Sequence, residues 1–256
     1  MFTVEQRDAL RDRVLQVARG DERVLAGAVV GSLALGPGDR YSDLDLTFAV
    51  AGGVALAAVL DDWTRMLVEE LKAVRLVDLE RGSTIYRVFL LPDALQFDLS
   101  MTPAAQFRPA GPRFRLLYGK TAPGEHQMSP QAGYLFINTP MVPNDVFGWG
   151  VIYALHARAC IERGRVWQAE HYIGAVRDHA LSLAAIGHGV TPAQARGFDD
   201  LPAAALARFE DTHIAALEPD VLRAALKAAV TALIRQGEES KLPHTSAVAA
   251  RLADLG

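Results

Sequence analysis

Three aspartates and a Gly-Ser step are the residues of this chain whose types and spacing could do chemistry. In VVGSLALGPGDRYSDLDLTFAV, residues 29–50, an apolar run ends at Gly31-Ser32, ten residues intervene, and Asp43-Leu44-Asp45 opens a second apolar run. Side chains two apart on a strand point to one face, so Asp43 and Asp45 project together. Adjacent carboxylates repel and lose solvation unless a cation lies between them. Aspartate is also depleted in strands. The pair therefore asks for Mg²⁺, a hard ion that takes carboxylate and phosphate oxygens together. Gly31 allows close backbone approach to a ligand, and Ser32 can open a helical turn whose free N–H groups and hydroxyl face a phosphate. Ser42, directly ahead of the pair, is counted with Gly31 and Ser32 among the cofactor-binding residues.

A third carboxylate, Asp98, lies in ALQFDLSM. Leu95, Phe97 and Leu99 alternate there with Gln96, Asp98 and Ser100, so Asp98 belongs to a polar strand face. If this strand lies beside that of Asp43 and Asp45, three aspartates converge. Such a triad suits two-metal phosphoryl or nucleotidyl transfer, one ion activating an acceptor hydroxyl and the other holding a triphosphate. Taken singly the signals are bland: SDLDL is a common turn-to-strand sequence, and Asp98 alone reads as a solvated sheet residue. Their joint order and spacing carry the argument. The chain has no GxxxxGK[ST] loop and no GxGxxG fingerprint.

At these residues the chain resembles the DNA polymerase β-like nucleotidyltransferases, whose hallmark is Gly-Ser, a spacer of about ten residues, Asp-x-Asp in the next strand and an Asp in a later one. The resemblance covers residues 22–120. Within that superfamily the chain looks most like bacterial antibiotic nucleotidyltransferases of the aminoglycoside and lincosamide type, and FDLSMTPAAQFRPAGPRFRLLYGK is similar to that group. The resemblance implies Asp43, Asp45 and Asp98 as catalytic and metal-holding residues, with two Mg²⁺ ions. ATP, or another nucleoside triphosphate, would be the co-substrate.

The elements that must position these residues can be read from periodicity. An amphipathic helix is expected over 4–19, closed by Gly20, and strands over 24–30, 44–50, 74–79, 85–91 and 95–101, with a helix over 54–73. Prolines and glycines mark 121–143 as a linker. Helices follow over 144–163, 165–187, 199–217, 220–237 and 245–254, with Asn144 or Asp145 capping the first and Thr245 or Ser246 the last. The fold class is α+β. A nucleotidyltransferase-type mixed sheet flanked by helices spans 1–120, and an all-α helical-bundle domain spans 144–256.

Composition narrows the function. Over 256 residues, 26 Lys and Arg stand against 30 Asp and Glu, a net charge of −4 that excludes a general nucleic-acid-coating protein. The single cysteine, Cys160, cannot form an internal disulfide, which fits a reducing cytoplasm. The opening residues lack the apolar core of a signal peptide, and no apolar stretch approaches the roughly 18 residues of a membrane span.

Weaker signals remain. Arg108, Arg113, Arg115 and Lys120 form a basic cluster that could neutralise triphosphate, or simply a solvated loop. His156 interrupts an apolar helical stripe, as an interior histidine or an acceptor contact. Glu170 and Arg177, seven apart, read as a structural ion pair or as an acceptor-side contact and a phosphate ligand. Asp178 falls nearer the opposite face. His171, His179 and His188 lack zinc spacing with Cys160. The alanine-rich later helices read as scaffold or dimer surface.

The expected activity is Mg²⁺-dependent transfer of a nucleoside monophosphate, AMP from ATP first, to a small-molecule hydroxyl, an antibiotic among the candidates. The partners expected are a nucleoside triphosphate and that acceptor, bound between the domains, with no nucleic-acid template and no membrane, in a cytoplasmic monomer or homodimer. The alternatives are an AMP-transferase acting on protein, and a catalytically idle nucleotide-sensing or partner-binding module.

Overall fold

A computed structural model describes residues 2–109, 113–123 and 142–253. The chain divides into two compact units, Met1–Pro140 and Met141–Gly256. Most of the expected linker, 121–143, lies outside the described residues.

The first unit opens with α1 (Val4–Gly20), whose start is fixed by a reciprocal capping box. The Gln6 N–H donates to the Thr3 hydroxyl, and the Thr3 N–H donates to Gln6 Oε1. Strands β1 (Val24–Val30), β2 (Leu44–Val50), β3 (Val74–Arg81), β4 (Thr84–Leu90), β5 (Gln96–Pro103) and β6 (Phe114–Tyr118) build one sheet, with α2 (Leu56–Leu71) between β2 and β3. The spatial order is β3-β4-β5-β2-β1-β6. Only β2 and β5 pair in parallel, the other pairs being antiparallel. A parallel pair requires a crossover, supplied here by α2 and the β3–β4 hairpin.

Alternation sorts the two faces. Leu44, Leu46 and Phe48 on β2 and Phe97, Leu99 and Met101 on β5 enter a buried core with Leu10 and Val14 of α1 and Leu60, Trp63 and Leu67 of α2. The intervening Asp45, Thr47, Asp98 and Ser100 therefore take the opposite face, where Ala26, Ala28 and Ala49 pack under Phe107. Arg87 of β4 is buried on the helix side. Its guanidinium donates to both Asp78 oxygens at 2.8 and 2.7 Å and to Asp61 of α2 at 2.8 Å, tying that helix to the hairpin.

The second unit contains α3 (Pro143–Glu162), α4 (Val166–Gly187), α5 (Ala203–Leu206), α6 (Pro219–Glu239) and α7 (Thr245–Leu252). Its core is Val151, Ile173, Val176, Leu222, Leu226 and Leu233, all buried. None of the helices among the described residues is long and apolar enough to cross a membrane.

Four expectations are corrected. The helix expected over 199–217 is instead the single turn α5 followed by 3₁₀ turns over Ala207–Thr212. Pro202 cannot sit inside a helix, and the Thr212 hydroxyl donates to the Phe209 carbonyl at 2.6 Å, competing with helical bonding. The cap of α3 is Val142, with Pro143 at the first helical position, so neither Asn144 nor Asp145 caps it. The cap of α7 is His244 in the left-handed region, and Thr245 is already helical. Strand β6 was not expected, because its five residues include the exposed Arg115 and Leu116 at the sheet's edge.

Phe48 is fully buried and meets Trp63 edge-on, with ring centroids 5.0 Å apart. Phe48→Ala is expected to destabilise the first unit by about 3–5 kcal/mol, read as a fall in its urea midpoint.

Candidate active site

The site is built where β2 and β5 run side by side. Their register sets Asp45 directly opposite Asp98, and both side chains leave the sheet on the face away from α1 and α2. Gly31, at the end of β1, completes the corner. It has φ +67°, and a Cβ there would overlap the Asp45 carboxylate. Only glycine adopts that conformation readily and leaves room for the carboxylate. Ser32 follows, exposed, in a 3₁₀ turn over Gly31–Ala34.

The carboxylates feel one another. Burial pushes the Asp45 carboxyl well above its ordinary range, and the charges of Asp43 and then Asp98 push it further. Asp98 is pushed up to about 7, chiefly by burial and then by the charge of Asp43, against the opposing effect of a hydrogen bond from Gln96. In that bond Gln96 Nε2 donates to Asp98 Oδ1 at 2.9 Å. Hard, mutually repelling oxygens of this kind match Mg²⁺ in donor chemistry. Among the described residues, however, no three Asp, Glu, His or Cys side chains are grouped so as to hold one metal ion. Shared coordination would need the carboxylates to turn about their side-chain bonds.

The loop from Gly31 to Asp43 is held from a distance. Arg7 of α1 is fully buried, and its guanidinium donates to the carbonyls of Pro37 at 2.8 Å, Asp39 at 2.7 Å and Ser42 at 3.3 Å. Ser42 is buried too. Its hydroxyl donates to Asp39 Oδ1 at 2.9 Å and accepts from the Asp39 N–H at 3.0 Å, so it closes the loop's final turn. The same end of α1 also reaches the turn ahead of β5. There the Phe2 N–H donates to the Asp93 carbonyl at 2.9 Å and Gln6 Nε2 to Asp93 Oδ2 at 3.3 Å. Asp93 and Ala94 both have positive φ, 62° and 57°, a strained pair that surrounding contacts must hold. One helix end therefore sets the approach to both aspartate-bearing strands.

Sequence reasoning missed Arg7. The signal was its place on the Leu10–Val14–Ala18 stripe, three residues before Leu10, where an arginine must be buried or break the pattern. Gln96 was seen only as one member of a polar face.

Of the basic cluster, Arg115 donates to the Leu33 carbonyl at 3.0 Å and so lies against the Gly-Ser turn, while Arg108 bonds the nearby Ala105 carbonyl at 3.0 Å. Arg113 and Lys120 are exposed. The remaining candidates belong to the second unit. His156 on α3 is half-buried with its ring 5.1 Å from that of Tyr172. On α4, Glu170 is exposed, and Arg177 donates to Asp178 Oδ1 at 3.1 and 3.0 Å. Burial lowers the pKa of His179, whose Nδ1 lies 2.8 Å from the Ala175 carbonyl.

No family model matches this chain, and no curated protein does. Among solved structures it is similar to an aminoglycoside 6-adenyltransferase from Bacillus subtilis, with 13% identity and a TM-score of 0.34 over 99% of this chain and 92% of that one. At that distance the likeness assigns no activity.

Three outcomes are expected. Gly31→Ala should displace the Asp45 carboxylate and destabilise the first unit, seen as a lower thermal midpoint and shifted resonances on β2. Arg7→Met should accelerate deuterium exchange at the Ser42 amide, which donates to the Asp39 carbonyl. Arg7→Lys should do so less, because an ammonium keeps some of the donors. Asp98 binds its proton more tightly folded than unfolded, so its ionisation costs stability as pH rises from about 4 towards 7. In EDTA, Asp98→Asn should therefore gain on the wild type in thermal midpoint as pH rises from about 4 to about 8. A gap that stays constant would refute the raised pKa.

Proposed function

We propose that the first unit is a Mg²⁺-dependent nucleotidyltransferase that moves a nucleoside monophosphate, AMP from ATP first, onto a hydroxyl of a small molecule. One observation carries the reading: Asp45 and Asp98 face each other in register on parallel strands while the Gly31 backbone rests against Asp45. A fold gains nothing by setting carboxylates this close, since the charges of Asp43 and Asp98 push the Asp45 carboxyl up, and a cation shared with a triphosphate would compensate them.

In this reading Asp43, Asp45 and Asp98 hold Mg²⁺, and the turn at Gly31-Ser32 binds phosphate oxygens, with Arg115 beside it. When bound, Mg²⁺ neutralises the triphosphate and lowers the pKa of the acceptor hydroxyl. The acceptor oxygen forms a bond to the α-phosphorus, the bond from that phosphorus to the pyrophosphate oxygen breaks, and pyrophosphate leaves. Asp98 would take up the hydroxyl proton as the bond to phosphorus forms.

Calorimetric titration of each nucleoside triphosphate tests this. Binding in Mg²⁺ should disappear in EDTA and in Asp43→Asn. Asp43→Asn and Asp45→Asn should each abolish pyrophosphate release, yet melt no lower than the wild type, because each removes a repelling charge. Wild-type turnover by either variant would sink the assignment.

A further inference from the structure

Gln96 is the first residue of β5 and only 5% exposed. The parallel register pairs Asp45 with Asp98 and Leu44 with Phe97. Asp43 immediately precedes Leu44, the first residue of that register. Residues two apart on a strand share a face, so Gln96 stands with Asp98 on the carboxylate-bearing face, at the strand's mouth.

The two ends of its amide are not equivalent. Nε2 donates to Asp98 Oδ1 at 2.9 Å. Oε1 is buried and has no hydrogen-bond partner among the described residues. Once Asp98 is ionised, as a cation ligand is, its oxygens only accept and must meet the NH₂, so turning the amide does not cure this. An ionised Asp43 or Asp45 likewise has no donor to offer Oε1. A buried acceptor without a donor needs an explanation, and a positive ligand held by the Asp98 carboxylate beside this amide would supply one. A neutral amide oxygen is a hard donor of the kind Mg²⁺, Mn²⁺ and Ca²⁺ accept. It adds a ligand without adding to the repulsion among the aspartates.

We propose that Gln96 is a fourth member of the cation site: its Nε2 sets the Asp98 carboxylate, and its Oε1 offers an oxygen to the divalent cation or to a water upon it. This rests on the reading that the three aspartates hold Mg²⁺. The signal in the sequence is a glutamine two residues ahead of the aspartate, on the same strand face.

The test uses Mn²⁺ as probe. Free Mn²⁺ is titrated with the full chain and followed by electron paramagnetic resonance, without nucleotide, for the wild type, Gln96→Leu and Gln96→Glu. Thermal midpoints are taken in EDTA. Gln96→Leu should bind Mn²⁺ on the order of tenfold more weakly. Gln96→Glu keeps a hard oxygen and adds charge, so it should bind Mn²⁺ at least as tightly as the wild type and melt lower. Equal affinity of Gln96→Leu and wild type overturns the role of Gln96 and leaves the aspartate site standing. Gln96→Glu as weak as Gln96→Leu overturns the ligand role, and it decides the matter if Gln96→Leu is unstable. A wild type that binds no Mn²⁺ overturns the cation site itself, and the role of Gln96 with it.

Discussion

Burying a guanidinium is costly unless its donors find acceptors. In this protein the two terminal nitrogens of Arg7 take three backbone carbonyls from one loop, those of Pro37, Asp39 and Ser42, while Nε makes no hydrogen bond and lies 3.5 Å from Asp8 Oδ1. Leu33 enters the core, but from Leu35 to Arg40 the loop is exposed and buries no apolar surface. Its path is therefore decided by where the guanidinium lies, and so is the height at which Asp43 meets the strand. Phe2 and Gln6 extend the same control to the turn before β5. The carboxylates are arranged by a helix on the far side of the sheet, through backbone they do not touch.

The central parallel pair explains why the aspartates can be so close. In an antiparallel pair, two strands approach a site from opposite ends. In β2 and β5 both chains start at one edge of the sheet, so both can place a polar residue in their first turns and then run apolar into the core. Arg87 and its partners Asp78 and Asp61 secure the crossover that makes this pairing feasible. The cost of repulsion is confined to one corner, while the helix-facing residues of β2 and β5 are apolar.

Much of this was legible in the residues themselves. Two-residue alternation marked β2 and β5 and set Asp45 and Asp98 on polar faces, and spacing put Gly31 at the turn before them. What alternation could not supply was adjacency: that β5, and not β3, lies next to β2 is decided by the crossover. Arg7 was hidden because an arginine on a charged helix reads as solvated, and only the loop's carbonyls, more than thirty residues on, make it an interior residue. Gln96 was hidden for the same reason, since its role depends on which end of an amide meets Asp98. Around 199–217, alanine-rich composition suggested a helix where Pro202 and the Thr212 hydroxyl prevail.

The capping box at Thr3 and Gln6 has a reach beyond its helix. The first turn of a helix is the part that frays, opening and closing far more often than the domain unfolds. Here that turn carries the anchors of both approach loops, so each opening frees the loop before Asp43 and the turn before β5 while the β2–β5 ladder stays paired. The fraction of molecules with an assembled corner is then set by a local equilibrium at Thr3 and Gln6. The order of both approach loops is thus tied to the fraying of a helix end.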